Sequence, residues 1–121
     1  MASVFEATAG LAIGYTSGSS VTQATNKATG VTINAAAGAI TMADAALAAG
    51  VEVSFAVTND KVSASDVVVV NHASGGTAGS YLVQANTLAA GSFAITVSNV
   101  SGGSLGEAIV LNFAVIKGAT S

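Results

Sequence analysis

The chain has 121 residues, of which 51% are hydrophobic and only 7% charged, with a net charge of −3 and no cysteine. An average domain of this length carries about 30 charged side chains, so a surface of Ser, Thr, Asn and Gly, or burial against partners, must do the work of charge. No disulfide framework or thiolate metal site is possible. Three scattered lysines (Lys27, Lys61 and Lys117) cannot form the basic patch that nucleic acid needs.

Residues 1–29 are rich in Gly, Ser, Thr and Ala and sustain no helical or strand period. They read as either a flexible leader or an extended arm that orders against a neighbour. Phe5, Leu11, Ile13 and Tyr15 supply more apolar anchors than a linker requires, which favours the arm. The initial Met suits an intact product. No apolar run is long enough for a membrane-spanning helix, and the N-terminal region lacks the pattern of a secretory signal.

Residues 30–121 read as a β-sandwich domain. Val31–Asn34 and Ala39–Met42 are short strand candidates. Ala43–Ala49 offers the one helical pattern, with Asp44 to cap it and Gly50 to end it, but seven residues suit a turn or connector better. In Val51–Thr58, residues 51, 53, 55 and 57 are apolar and alternate with Glu52, Ser54, Ala56 and Thr58, the pattern of a strand with one buried face. Val67–Val70 is an unbroken β-branched run, which predicts a central strand covered on both faces.

Tyr81–Asn86 is a shorter strand, and Phe93–Ser98 turns Phe93, Ile95 and Val97 inward. Turn-prone residues lie between, at 59–61, 71–79, 89–91 and 101–104. In the last strand, Ile109, Leu111, Phe113 and Val115 share one face, while Ala108, Val110, Asn112, Ala114 and Ile116 share the other. The second face is too apolar for open water, so another sheet or another subunit is expected to cover it. About seven short strands predict an all-β, antiparallel sandwich or jelly-roll-like barrel with an extended N-terminal arm. An internal echo, Leu47-Ala-Ala-Gly50 before a strand ending at Asn59 and Leu88-Ala-Ala-Gly91 before one ending at Asn99, predicts two related units packed across the sandwich.

No catalytic constellation stands out. His72, with Asp66 and any of several serines, can be drawn as a triad, but no motif singles out a nucleophile. A lone His does not make a zinc site, and Asp44, Asp60 and Asp66 do not follow a calcium-loop spacing. With 5% aromatic residues and no Trp, a sugar-stacking groove is weakly supported. The expectation is a non-enzyme without cofactor or metal.

The segment Asp66–Tyr81 (DVVVVNHASGGTAGSY), the run Leu88–Lys117 and the earlier run Val21–Asn59 together resemble small phage and prophage virion proteins over residues 21–117. The resemblance lies in texture and phrase, with no catalytic signature. It implies a β-rich, trimeric particle component and leaves open which part of the particle; the first hypothesis is a capsid decoration, or cement, protein on the capsid exterior, a homotrimer bound to major capsid protein subunits. Neither nucleic acid nor membrane is an expected partner. On this reading the interface comprises Phe5, Leu11, Ile13 and Tyr15 of the arm and Val110, Asn112, Ala114 and Ile116 of the last strand. The alternative is a tail-fibre or head-fibre adhesin that binds a host glycan through loops 71–79 and 101–106.

Overall fold

A computed structural model describes residues 14, 15 and 17–119. Among them are ten strands and no helix: β1 (Ser19–Thr22), β2 (Val31–Thr32), β3 (Ala37–Thr41), β4 (Ala46–Leu47), β5 (Glu52–Thr58), β6 (Val67–Ser74), β7 (Tyr81–Ala89), β8 (Ser92–Asn99), β9 (Leu105–Gly106) and β10 (Val110–Ile116). The first sheet has the order β1-β3-β10-β6, the second β2-β5-β8-β7, and β4 and β9 form a small bridge. The expected all-β sandwich is therefore present. Its sheets are mixed, because β1 runs parallel to β3 and β2 parallel to β5, while the other pairs are antiparallel.

Alternation along the strands decides which side is core. Ile40, Leu111, Phe113 and Val115 of the first sheet face Phe55, Val57, Phe93, Ile95 and Val97 of the second, and all are buried. Phe93 and Phe113 meet across the two layers with ring centroids 5.8 Å apart and a tilt of 56°. The inward sets predicted for β8 and β10 are the observed ones. Ala43–Ala49 is a connector holding the two-residue strand β4.

Four expectations are corrected. The sandwich begins before residue 30: Ser19–Thr22 pairs with Gly38–Thr41, so the predicted arm contributes an edge strand. That approach is close enough that a Cβ on Gly38 would lie 2.5 Å from the Ser19 carbonyl oxygen and 2.9 Å from Ile33, which explains a glycine there. Val51 is exposed, because it lies in the turn ahead of β5, where its N–H donates to the Ala48 carbonyl at 3.1 Å. The Val67–Val70 run lies on an edge strand, not a central one, and only Val68 and Val70 pack on the core.

The echoed units also sit differently from expectation. β5 and β8 lie side by side in the second sheet, antiparallel, so the two motifs meet head to tail. Asn59 at the end of β5 donates its backbone N–H to Gly91 O, before β8, at 2.9 Å; Gly50, before β5, donates to Asn99 O at 2.8 Å. Both turn glycines have φ near +80° (74° and 83°), where a side chain would be strained. Each Asn is fully buried. Asn59 Oδ1 accepts from Lys61 N and Asn99 Oδ1 from Ser101 N, both at 2.9 Å, while their Nδ2 groups donate to Ala35 O and Leu47 O, both at 2.7 Å. One side chain thus replaces the ladder where each strand ends.

Candidate functional site

The most distinctive surface is the outward face of the first sheet. Its rows follow from the registers. Ser20, Ala39, Asn112 and Asn71 lie in one row, and Ala37, Ala114 and Val69 in the next. Ile116 and Val67 make a third row, and Thr22, Thr41 and Val110 a fourth on the other side. No Asp, Glu, Lys or His stands at an outward position of these four strands. Val67, Val69 and Ile116 are 55%, 51% and 53% exposed. These three large apolar side chains form a continuous strip along β6 and β10, beside a floor of alanines. In water such a strip is unfavourable by about 25 cal/mol for each Å² left uncovered.

Four of the predicted interface residues, Val110, Asn112, Ala114 and Ile116, are on this face together. Val67, Val69, Ala37 and Ala39 complete it and were not singled out from sequence. The valine run signalled apolarity on both sides of β6, but it was attributed to cover within the chain. Of the arm residues, Phe5, Leu11 and Ile13 lie outside the described residues. Tyr15 is half exposed and its hydroxyl donates to the Val115 carbonyl of β10. An open groove of about 770 Å³ is lined by Tyr15, Ser17, Ser20, Ala37, Ala39 and Asn112 among others.

The outward face of the second sheet is built from other groups. Ser54 and Thr96 hydroxyls hydrogen-bond across β5 and β8 at 2.7 Å, and Asn86 Nδ2 donates to Thr96 Oγ1 at 3.0 Å. Thr96 is buried within this polar ladder. A shallow cleft of about 240 Å³ beside it is lined by Leu82, Gln84, Thr96 and Ser98.

Two polar clusters lock the ends of the sandwich. At one end Glu107 accepts from Thr77 N (3.0 Å), Thr77 Oγ1 (2.8 Å) and the Tyr81 hydroxyl (2.8 Å). These bonds, Tyr81's first, hold the Glu107 carboxyl below its usual range; burial and Glu107 push the Tyr81 hydroxyl up to about 12. Glu107 therefore stays ionised and Tyr81 protonated at neutral pH, which suits a clamp and not proton transfer. His72 packs edge-on against Tyr81, with ring centroids 5.5 Å apart, and its Nε2 lies 2.6 Å from the Gly75 carbonyl. As that neighbour is an acceptor, Nε2 carries the proton.

Lys27, read from sequence as one scattered charge, is buried here. Its ammonium donates to Ala43 O (2.5 Å) and Glu107 O (2.6 Å), and Gln23 ties the loop with Nε2 bonds to Lys27 O and Thr29 O. Burial pulls its pKa below the lysine range, opposed by the charges of Asp44 and Glu107. At the other end of β6, Asp66 accepts from Lys117 Nζ at 2.6 Å, Gly118 N at 3.0 Å and Ser63 N at 2.9 Å. These bonds hold its carboxyl well below the usual range, with Lys117 the largest cause. Asp66 and His72 are thus committed at opposite ends of β6 and do not form the drawn triad. Among the described residues no three His, Asp or Glu side chains gather as metal ligands. No protein-family model, curated protein or solved structure matches the chain.

Proposed function

We propose that this chain is a structural subunit of a virus particle, a capsid decoration or cement protein that stabilises the shell from outside as a homotrimer. The observation that carries the reading is the uncharged apolar face of the first sheet, with Val67, Val69 and Ile116 half exposed along it. Contact with neighbouring subunits suits such a face, because covering it removes apolar area from water without desolvating a charged side chain. The Asn112–Asn71 row supplies polar groups that fix register across it. The resemblance of residues 21–117 to phage virion proteins supplies the setting, with major capsid protein subunits as partners. The bound clusters around Glu107 and Asp66 suit a rigid building block, since their side chains serve the fold.

The test is co-sedimentation with shells of the same particle that lack the protein. The reading predicts saturable binding in multiples of three copies and a raised melting temperature of the shell. Protein that stays in the supernatant at every concentration contradicts it. A second reading, a glycan-binding adhesin, rests on the meeting of two loops at one end, where Val100 N donates to Ser80 O at 2.9 Å. Binding to a host glycan surface that is lost on substituting Thr77 and Ser104 would favour it instead.

A further inference from the structure

We propose that β1 exchanges between copies of this chain: the strand swings out about Ala24 and Thr25 and seats on β3 of a neighbour, in place of that neighbour's own β1. The strand is lightly held. It is an edge strand of four residues paired with β3 on one side, and of the four only Val21 packs on the core. The turn that follows is strained. Thr25 has a φ of 56°, a left-handed conformation that a β-branched side chain disfavours. Straightening the turn, as exchange requires, removes that strain. A strained hinge beside a lightly held edge strand is the condition that favours swapping.

The bonds around the turn place the hinge. On the strand side, Gln23 N donates to Thr41 O at 2.7 Å and Gln23 Oε1 accepts from Ala43 N at 3.0 Å. On the other side, Lys27 Nζ holds Ala43 O and Glu107 O, and Asn26 closes its own turn by accepting from Ala28 N at 2.9 Å and Thr29 N at 3.2 Å. Ala24 and Thr25, both exposed, lie between the two sets. Gln23 Nε2 bridges them, donating to Lys27 O at 3.0 Å and Thr29 O at 2.9 Å. After exchange the Gln23 bonds re-form with the body of another copy, so the two states differ mainly at residues 24 and 25. The slot on β3 also fits β1 itself. A Cβ on Gly18 would lie 2.8 Å from Ala37 O, and one on Gly38 2.5 Å from Ser19 O, so the two strands close through a glycine on each. This selects the β1 of a second copy as the occupant over an unrelated strand. Exchange needs copies side by side and so rests on the assembly reading above; the turn and the slot are its own evidence.

The chain has no cysteine, and Ser20 and Ala39 stand opposite one another on the outward side of β1 and β3. Neighbouring strands about 4.8 Å apart lie within the span that a disulfide bridges. Full-length chains carrying Ser20→Cys are mixed with chains carrying Ala39→Cys, unfolded and refolded together, and oxidised. Each chain has one thiol, so a disulfide between the two variants crosses chains by construction. It is expected in the associated fraction at roughly ten times the yield of a Ser20→Cys and Leu82→Cys mixture, whose second thiol is on the other sheet. Thr25→Gly in both chains relieves the turn and should cut the yield roughly tenfold. A yield at the level of the Leu82→Cys mixture overturns the proposal. So does a yield that Thr25→Gly leaves unchanged, since it then comes from two faces lying together with each β1 in place. A trimer by sedimentation without the disulfide removes exchange and keeps the assembly; a monomer at every concentration removes both.

Discussion

The two outward faces of the sandwich meet water in opposite ways. On the second sheet, Ser54, Thr96 and Asn86 bind one another across three strands, and Leu82 is the large apolar side chain exposed beside them. On the first sheet, the corresponding positions hold Ala37, Ala114, Val69, Val67 and Ile116, which make no such bonds and leave apolar area open. The inner surfaces of both sheets join one core, so the difference lies in the outward faces. A chain with few charges has hydroxyls bridging one face and an apolar strip along the other.

The comparison can be broken from below. Phe113→Ala removes the ring that carries the first sheet on Phe93 of the second. It should cost about 3–5 kcal/mol in urea unfolding, a loss shared by both faces. A cost under about 1 kcal/mol would mean that the layers are joined elsewhere.

Acid should loosen the first sheet ahead of the second. Asp66 clips the start of β6 to Lys117 and Gly118, just past the end of β10. Its folded-state pKa is depressed, so the clip contributes above the unfolded carboxylate value of about 3.9. That contribution is lost as pH falls towards the folded value. Asp66→Asn should therefore lower the urea midpoint at neutral pH and flatten its decline below about pH 5. A decline as steep as in the unsubstituted chain would remove Asp66 as its source.

The smaller effects sharpen the contrast. Thr96→Val breaks the Ser54 and Asn86 bonds on the second sheet and should cost about 1 kcal/mol, without changing association. Val69→Ser on the first sheet should alter monomer stability by no more than about 0.5 kcal/mol, yet weaken self-association measurably. The reverse pattern would exchange the roles assigned to the two faces.

Much of the fold is legible in the sequence where one strand carries its own alternation. Phe93-Ala-Ile-Thr-Val and Leu111-Asn-Phe-Ala-Val state which side is core without help from neighbours. The Asn59 and Asn99 turns were visible as an echo, but their pairing within one sheet depends on register, which a repeat does not specify. β1 was not visible, because Ser-Ser-Val-Thr has one apolar residue and pairs only because Gly38 lets it approach. Burial of Lys27 depends on residues 23, 43 and 107 converging, which no local pattern encodes. Half of the candidate face was legible from β10. The other half was misassigned because a valine run signals two apolar sides without saying whether the cover comes from the same chain.

The most direct test of the central claim is native mass by sedimentation across a wide concentration range, for the chain as it stands and for Val69→Lys, which places a charge on the apolar strip of the open face. Assembly through the first sheet predicts a trimer for the former and a folded monomer for the latter. A monomer at every concentration, or a trimer that tolerates the lysine, would contradict it.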